Sequence, residues 1–122
     1  MLARAANAYR QTDLDSAPKT LIVERLFERC LTDLDHARAA IDDRDVRRKA
    51  LALDHALQIV AELKASLDAD AAPELCANLA ALYDFVTERV VAASLAMTTA
   101  PLDQATRVVR ELADAFRQAH AR

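Results

Sequence analysis

Glycine is absent from this chain of 122 residues. Phosphate-binding loops built on glycine are therefore excluded, and so are folds that need many sharp turns at positive φ. A chain of this kind is expected to turn on Asn, Asp, Ser or Pro, which is easiest when turns are few. Tryptophan is also absent, and aromatic residues make up only 4%. Sandwiches and barrels ask for more aromatic and β-branched residues than that. A strong excess of either charge is lacking too. The formal net charge is −3, which argues against a general nucleic-acid binder. No apolar run reaches the length of a membrane span, and the opening MLARAANAYRQTD has no apolar stretch of signal-peptide length. Membrane insertion is not expected, and the cytoplasm is the expected location. Only two cysteines occur, Cys30 and Cys76. Both fall on apolar helical faces and read as buried thiols in a reducing compartment, with a disulfide as the alternative.

What remains is dominated by helix formers: alanine, leucine, arginine, glutamate and aspartate. The length suits one domain. Residues 1–17 read as a flexible arm, and residues 18–122 as the folded domain. Pro18 marks the start of a first helix, expected over about 18–41. Val23, Phe27, Cys30, Leu34, Ala37 and Ile41 repeat along it at alternating spacings of four and three, the rhythm of a bundle-facing seam. A polar corner follows, in which Asp43 or Asp45 can cap a second helix over about 45–67. Its expected seam is Val46, Ala50, Leu53, Leu57, Val60, Leu63 and Leu67, broadened by Ala56 and Ile59. Pro73 opens a third helix, over about 72–96, with Leu75, Leu79, Leu82, Val86, Val90 and Ala93 as its seam. The fourth, over about 102–120, carries Leu102, Ala105, Val109, Leu112, Phe116 and Ala119. Short polar corners make successive helices antiparallel neighbours. The expected fold class is all-α, an antiparallel up-down four-helix bundle with a flexible N-terminal arm.

Catalytic spacing is missing. A di-iron bundle repeats Glu-x-x-His on paired helices. Here Asp33 precedes His36 at that interval, but Ala52 precedes His55 and Arg117 precedes His120. The cysteines lack Cys-x-x-Cys spacing. Asp33 with Asp35, and Asp42 with Asp43, read as solvated helix face and corner. The chain is expected to be neither an enzyme nor a carrier of any metal or cofactor. Recognition is what is left, and its signal is surplus apolarity. Leu21, Ile22 and Leu26 exceed what the first seam needs, and Tyr83 and Phe85 do so on the third helix. Such residues either widen the core or line a groove for a partner helix. Tyr9 is the aromatic of the arm and could cover that groove. Self-association would use the same residues, so a homodimer stays open, as does a small structural or regulatory helical protein.

Several ordered pieces of the sequence match a known pattern. Asn7-Ala8-Tyr9 is followed by a short polar stretch and then by Pro18-Lys19-Thr20-Leu21-Ile22-Val23-Glu24-Arg25-Leu26-Phe27. Ala56, Ile59, Glu62-Leu63 and Leu67-Asp68 follow, then Leu75, Ala77-Asn78-Leu79 and Leu82-Tyr83-Asp84-Phe85 closing on Arg89. Leu112 and Phe116 complete the set. In this order the chain resembles the flagellin-specific export chaperones of the bacterial flagellar type III system. It departs from them at Ala17 before Pro18, at Ala71-Ala72 before Pro73, in the less polar end of the third helix, and in having Phe116 where relatives often carry tryptophan. The resemblance implies a cytoplasmic, non-enzymatic bundle that holds the C-terminal segment of unassembled flagellin, keeps it from polymerising early, and presents it to a flagellar export gate component. It also implies that some members self-associate or bind a regulatory or co-chaperone protein. The residues expected at the partner surface are Tyr9, Leu21, Ile22, Leu26, Tyr83 and Phe85, with Arg25 and Arg89 at its polar rim.

Overall fold

A computed structural model describes residues 17–120. Four helices carry its regular structure: α1 Ala17–Asp42, α2 Val46–Ala65, α3 Pro73–Ala96 and α4 Ala100–Ala119. The expected boundaries hold to within about two residues. The arm, and Tyr9 with it, lies outside the described residues.

The helices pack in a ring. Each touches its neighbours in the chain, α1 closes against α4, and the diagonal pairs do not approach. This is the up-down bundle that short corners impose. Along α1 all six seam residues are buried, as are Leu102, Ala105, Val109, Leu112 and Phe116 along α4. Phe27 meets Phe116 across the α1–α4 interface at a centroid distance of 5.9 Å, a tilted aromatic contact that fills the space between alanine-rich seams.

Two seams differ from the expected phase. In α2 the buried stripe is Lys49, Leu53, Ala56, Ile59, Val60 and Leu63. Val46 and Ala50 face solvent, while Leu57 and Leu67 are half-buried. In α3 Cys76 and Tyr83 take the places expected for Leu75 and Leu82. Both corrections have one cause. These helices carry apolar residues on adjacent stripes, and periodicity cannot choose between stripes; the neighbours on either side of the helix do. Tyr83 is 1% exposed. It therefore belongs to the core and is not surplus apolar surface.

The corners also correct an expectation. Backbone at positive φ is supplied by Arg44 (φ 57°) and Met97 (φ 52°), not by Asn or Asp. At the end of α1 the chain closes a Schellman turn, with Asp45 N–H donating to Ala40 O at 2.8 Å and Arg44 N–H to Ile41 O at 3.0 Å. Asp45 then caps α2, its carboxylate accepting from Arg48 N–H at 3.0 Å. At the end of α3 Thr98 N–H reaches Ala93 O, and the next carbonyl, that of Ser94, accepts from a side chain. The donor is the ammonium of Lys49, 3.1 Å from both Ser94 O and Ser94 Oγ. Lys49 is only 8% exposed. Its stem fills an apolar position of α2 while its charge sits at the negative end of the α3 dipole.

Cys30 and Cys76 are buried and not joined by a disulfide. Burial, helped by the Asp33 carboxylate, pushes the Cys30 thiol up to about 12. Burial, with Asp68, pushes Cys76 upward too. Neither thiol ionises at neutral pH, so neither is a nucleophile there. No described helix is long and apolar enough to cross a membrane.

Candidate binding surface

Once the four seams are buried, several large apolar side chains stay exposed. They are Leu21 and Ile22 on α1, Val46 and Leu51 on α2, and Leu82, Phe85, Val91 and Leu95 on α3. The α1–α2 interface gathers the first pair of elements into a furrow. Ile22, Arg25, Leu26 and Arg29 recur at one-turn spacing along α1, so they line one side of it. His55, Gln58, Ile59 and Glu62 answer from α2, and together the eight residues enclose a cavity of about 300 Å³. Further along the same interface Asp33 and His36 of α1 face Arg48, Leu51 and Ala52 of α2 around a second cavity of about 380 Å³.

A polar waist separates the two cavities. His55 Nδ1 is hydrogen-bonded to Asp33 Oδ2, and Arg29 Nη2 lies 3.5 Å from His55 Nε2. His55 stands between Arg29 and Asp33 and ties the two helices together at the waist. Asp33 is thus engaged across the interface and not with His36. Among the described residues no group of three His, Cys, Asp or Glu side chains is arranged to hold a metal ion.

The expected contact residues divide between faces. Ile22, Arg25 and Leu26 lie together in the α1–α2 furrow. Leu21 is exposed but lies a helical step away from Ile22, on the outer side of α1. Phe85 and Arg89 belong to another face, where Arg89 Nη1 donates to Gln104 Oε1 of α4 at 3.1 Å and its Nε donates to Glu88 at 2.7 Å. That neighbour holds the Glu88 carboxyl below the usual carboxylate range and raises the guanidinium. Tyr83 is behind this face, in the core. Sequence reasoning missed Leu51 and Leu95, whose spacing fits no seam, and it placed Val46 on one. An apolar residue off every seam was the available signal for the first two. Lys49 was missed because a lysine carries no apolar flag.

The family model described as flagellar protein FliS matches residues 2–122. The chain belongs to the FliS family. It is 29% identical to the flagellar secretion chaperone FliS of Escherichia coli strain K12 over 95% of this chain and 89% of that protein. Identity to the flagellar secretion chaperone FliS of Salmonella typhimurium is 30%, over 95% of this chain and 90% of the relative. For the protein of that name in Bacillus subtilis it is 31%, over 92% and 83%. FliS-family membership thus spans the whole bundle and its three corners, and it reaches into the segment before α1.

Proposed function

We propose that this chain is a cytoplasmic flagellar secretion chaperone that holds the C-terminal segment of unassembled flagellin, blocks its premature polymerisation and delivers it to the export gate. The observation that carries the reading is the conjunction of FliS-family membership along residues 2–122 with a largely apolar furrow that the described residues form between α1 and α2. A segment that becomes an amphipathic helix only in its final assembly has no core of its own beforehand. A furrow floored by Leu26 and Ile59, with Ile22 at its rim, offers it substitute burial. Ordering such a segment costs entropy, so affinity stays moderate for the area buried and release needs no nucleotide. Tyr9, in the segment before α1, is the candidate cover of the furrow in the absence of a partner. Phe85 and Arg89 lie on a different face, suited to a further stretch of the same partner or to a regulatory protein.

The test is calorimetric titration of the purified chain with the C-terminal segment of its own host's flagellin, followed by size-exclusion chromatography of the mixture. Saturable one-to-one binding and co-elution are expected. Absence of both removes the reading and leaves self-association as the alternative, which the elution volume of the chain alone would then report.

A further inference from the structure

The chemistry of the α1–α2 furrow is not that of the chain as a whole. The protein is acidic, with a net charge of −3. The first cavity nevertheless holds two arginines, Arg25 and Arg29, against a single carboxylate, Glu62. Among the described residues Arg25 forms no ion pair, and Arg29 meets only His55 Nε2 at a long 3.5 Å. Asp33, the carboxylate of the waist, is already engaged by His55. The second cavity ends differently. Its arginine, Arg48, is paired with Asp43 and Asp45 at 3.4 and 3.8 Å, and its apolar content is Leu51 and Ala52. Along the furrow the order is therefore an apolar floor with arginines able to accept a partner, a polar waist, and a second apolar patch. At 1.5 Å per residue, Leu26 and the Asp33–His36 stretch of α1 are separated by about 10–15 Å along the axis. Two anchors on one face of a partner helix, at positions i and i+7, span about 10.5 Å.

We propose that the furrow selects an amphipathic helix with two apolar anchors two turns apart and a carboxylate between them, the anchors seated at Leu26–Ile59 and at Leu51–Ala52 and the carboxylate on Arg29, with Arg25 one turn further out beside the first anchor. The inference rests on the chaperone reading for the identity of the natural partner, but it makes a statement about the furrow that holds without it. Guanidinium and carboxylate form paired hydrogen bonds. A lysine at the same point of the partner would meet Arg29 beside an apolar floor, with Arg25 adding like charge from one turn away.

Two synthetic peptides of about 18 residues, a length at which helices become persistent, distinguish the outcomes. Both carry leucine at i and i+7 on a helix-forming host, one with glutamate and the other with lysine at i+3 and i+4. Titrated into the full chain, the glutamate peptide is expected to bind at least tenfold tighter, and to weaken as salt rises from about 50 to about 500 mM. In the double variant Arg25→Glu, Arg29→Glu the preference is expected to reverse; circular dichroism checks that this exposed pair of changes leaves the bundle folded. Equal binding of the two peptides, or a preference unchanged in the variant, overturns the inference. So does binding of neither, whether a second copy or the chain's own first residues then fill the furrow. The flagellin segment separates the two ideas. If it binds the chain and the double variant alike, the chaperone reading stands and the charge selection falls. If it does not bind while the peptide preference holds, the reverse is true.

Discussion

Replacing Ile22 with aspartate should cost the chain its partner and almost none of its stability, while the same change at Val23 should unfold it. The two residues are adjacent in sequence, yet Ile22 is 54% exposed and Val23 is 7% exposed. Full burial of an isoleucine side chain is worth about 1.5–3 kcal/mol, so the half of Ile22 left to a partner is worth about 1 kcal/mol in a complex. Aspartate forfeits that and also places a charge beside Leu26 and Ile59, for a combined loss of about 2–3 kcal/mol, or roughly 30- to 150-fold in Kd. In the free protein the change sits on a solvated face, where substitutions shift stability by about 0.5 kcal/mol or less. At Val23 the carboxylate is forced into the α1 seam, where an unpaired buried charge costs several kcal/mol. That approaches the whole stability of a domain of this size. Urea unfolding followed by circular dichroism measures the first quantity, and calorimetry with the flagellin C-terminal segment measures the second. If Ile22→Asp loses stability comparable to Val23→Asp, Ile22 is core and the furrow is misplaced. If it keeps both stability and full affinity, the partner does not use the furrow.

Three further outcomes follow from the packing. Lys49→Ala removes the donor to Ser94 O and Ser94 Oγ and should lower stability by about 2–4 kcal/mol, with amide exchange accelerating first in the last turn of α3; a loss below about 0.5 kcal/mol would show the contact to be incidental. Arg44→Gly relieves a left-handed residue (φ 57°) and should gain or at least conserve stability by up to about 1 kcal/mol, whereas Arg44→Val should lose more than that in the same urea titration. Cys30 has its folded-state value raised to about 12, above that of the unfolded thiol. The unfolded state therefore loses its proton first as pH rises. Stability should be flat below about pH 8 and fall through the window between about 9 and 12, by at most about 1.4 kcal/mol per pH unit; Cys30→Ala should flatten that slope, and native protein should resist thiol reagents at neutral pH.

Each of these residues shows a different degree of legibility. The α1 seam could be read directly because Val23, Phe27, Cys30, Leu34, Ala37 and Ile41 have one apolar stripe to offer and few rivals, so periodicity has a unique answer. In α2 and α3 the rival stripes Val46–Ala50 and Leu75–Leu82 are as apolar as the true ones. The choice between them is made by where the neighbouring helices stand, which no local pattern encodes. Lys49 was illegible because its burial depends on a carbonyl left open 45 residues later, at the end of α3. Of the candidate contact residues, Ile22, Arg25 and Leu26 share a helix face and so could be grouped from sequence. Their partners Ile59, His55 and Leu51 could not, because the register of α2 against α1 is set by the whole core.

The class of the molecule follows from sequence alone: four amphipathic helices, short polar corners, no spacing suited to catalysis, and a resemblance to the family whose model matches residues 2–122. Absence of glycine said how few turns there could be, though not that Arg44 and Met97 would take the left-handed positions. Tertiary structure alone decided which surplus apolar residues remain outside. It drew Tyr83 into the core, left Leu51 and Leu95 on the surface, and placed Arg25 and Arg29 over an apolar floor in an otherwise acidic protein. The physical reason is that amphipathicity is a property of one helix, whereas a furrow is a property of two, and its depth and charge exist only once their register is set.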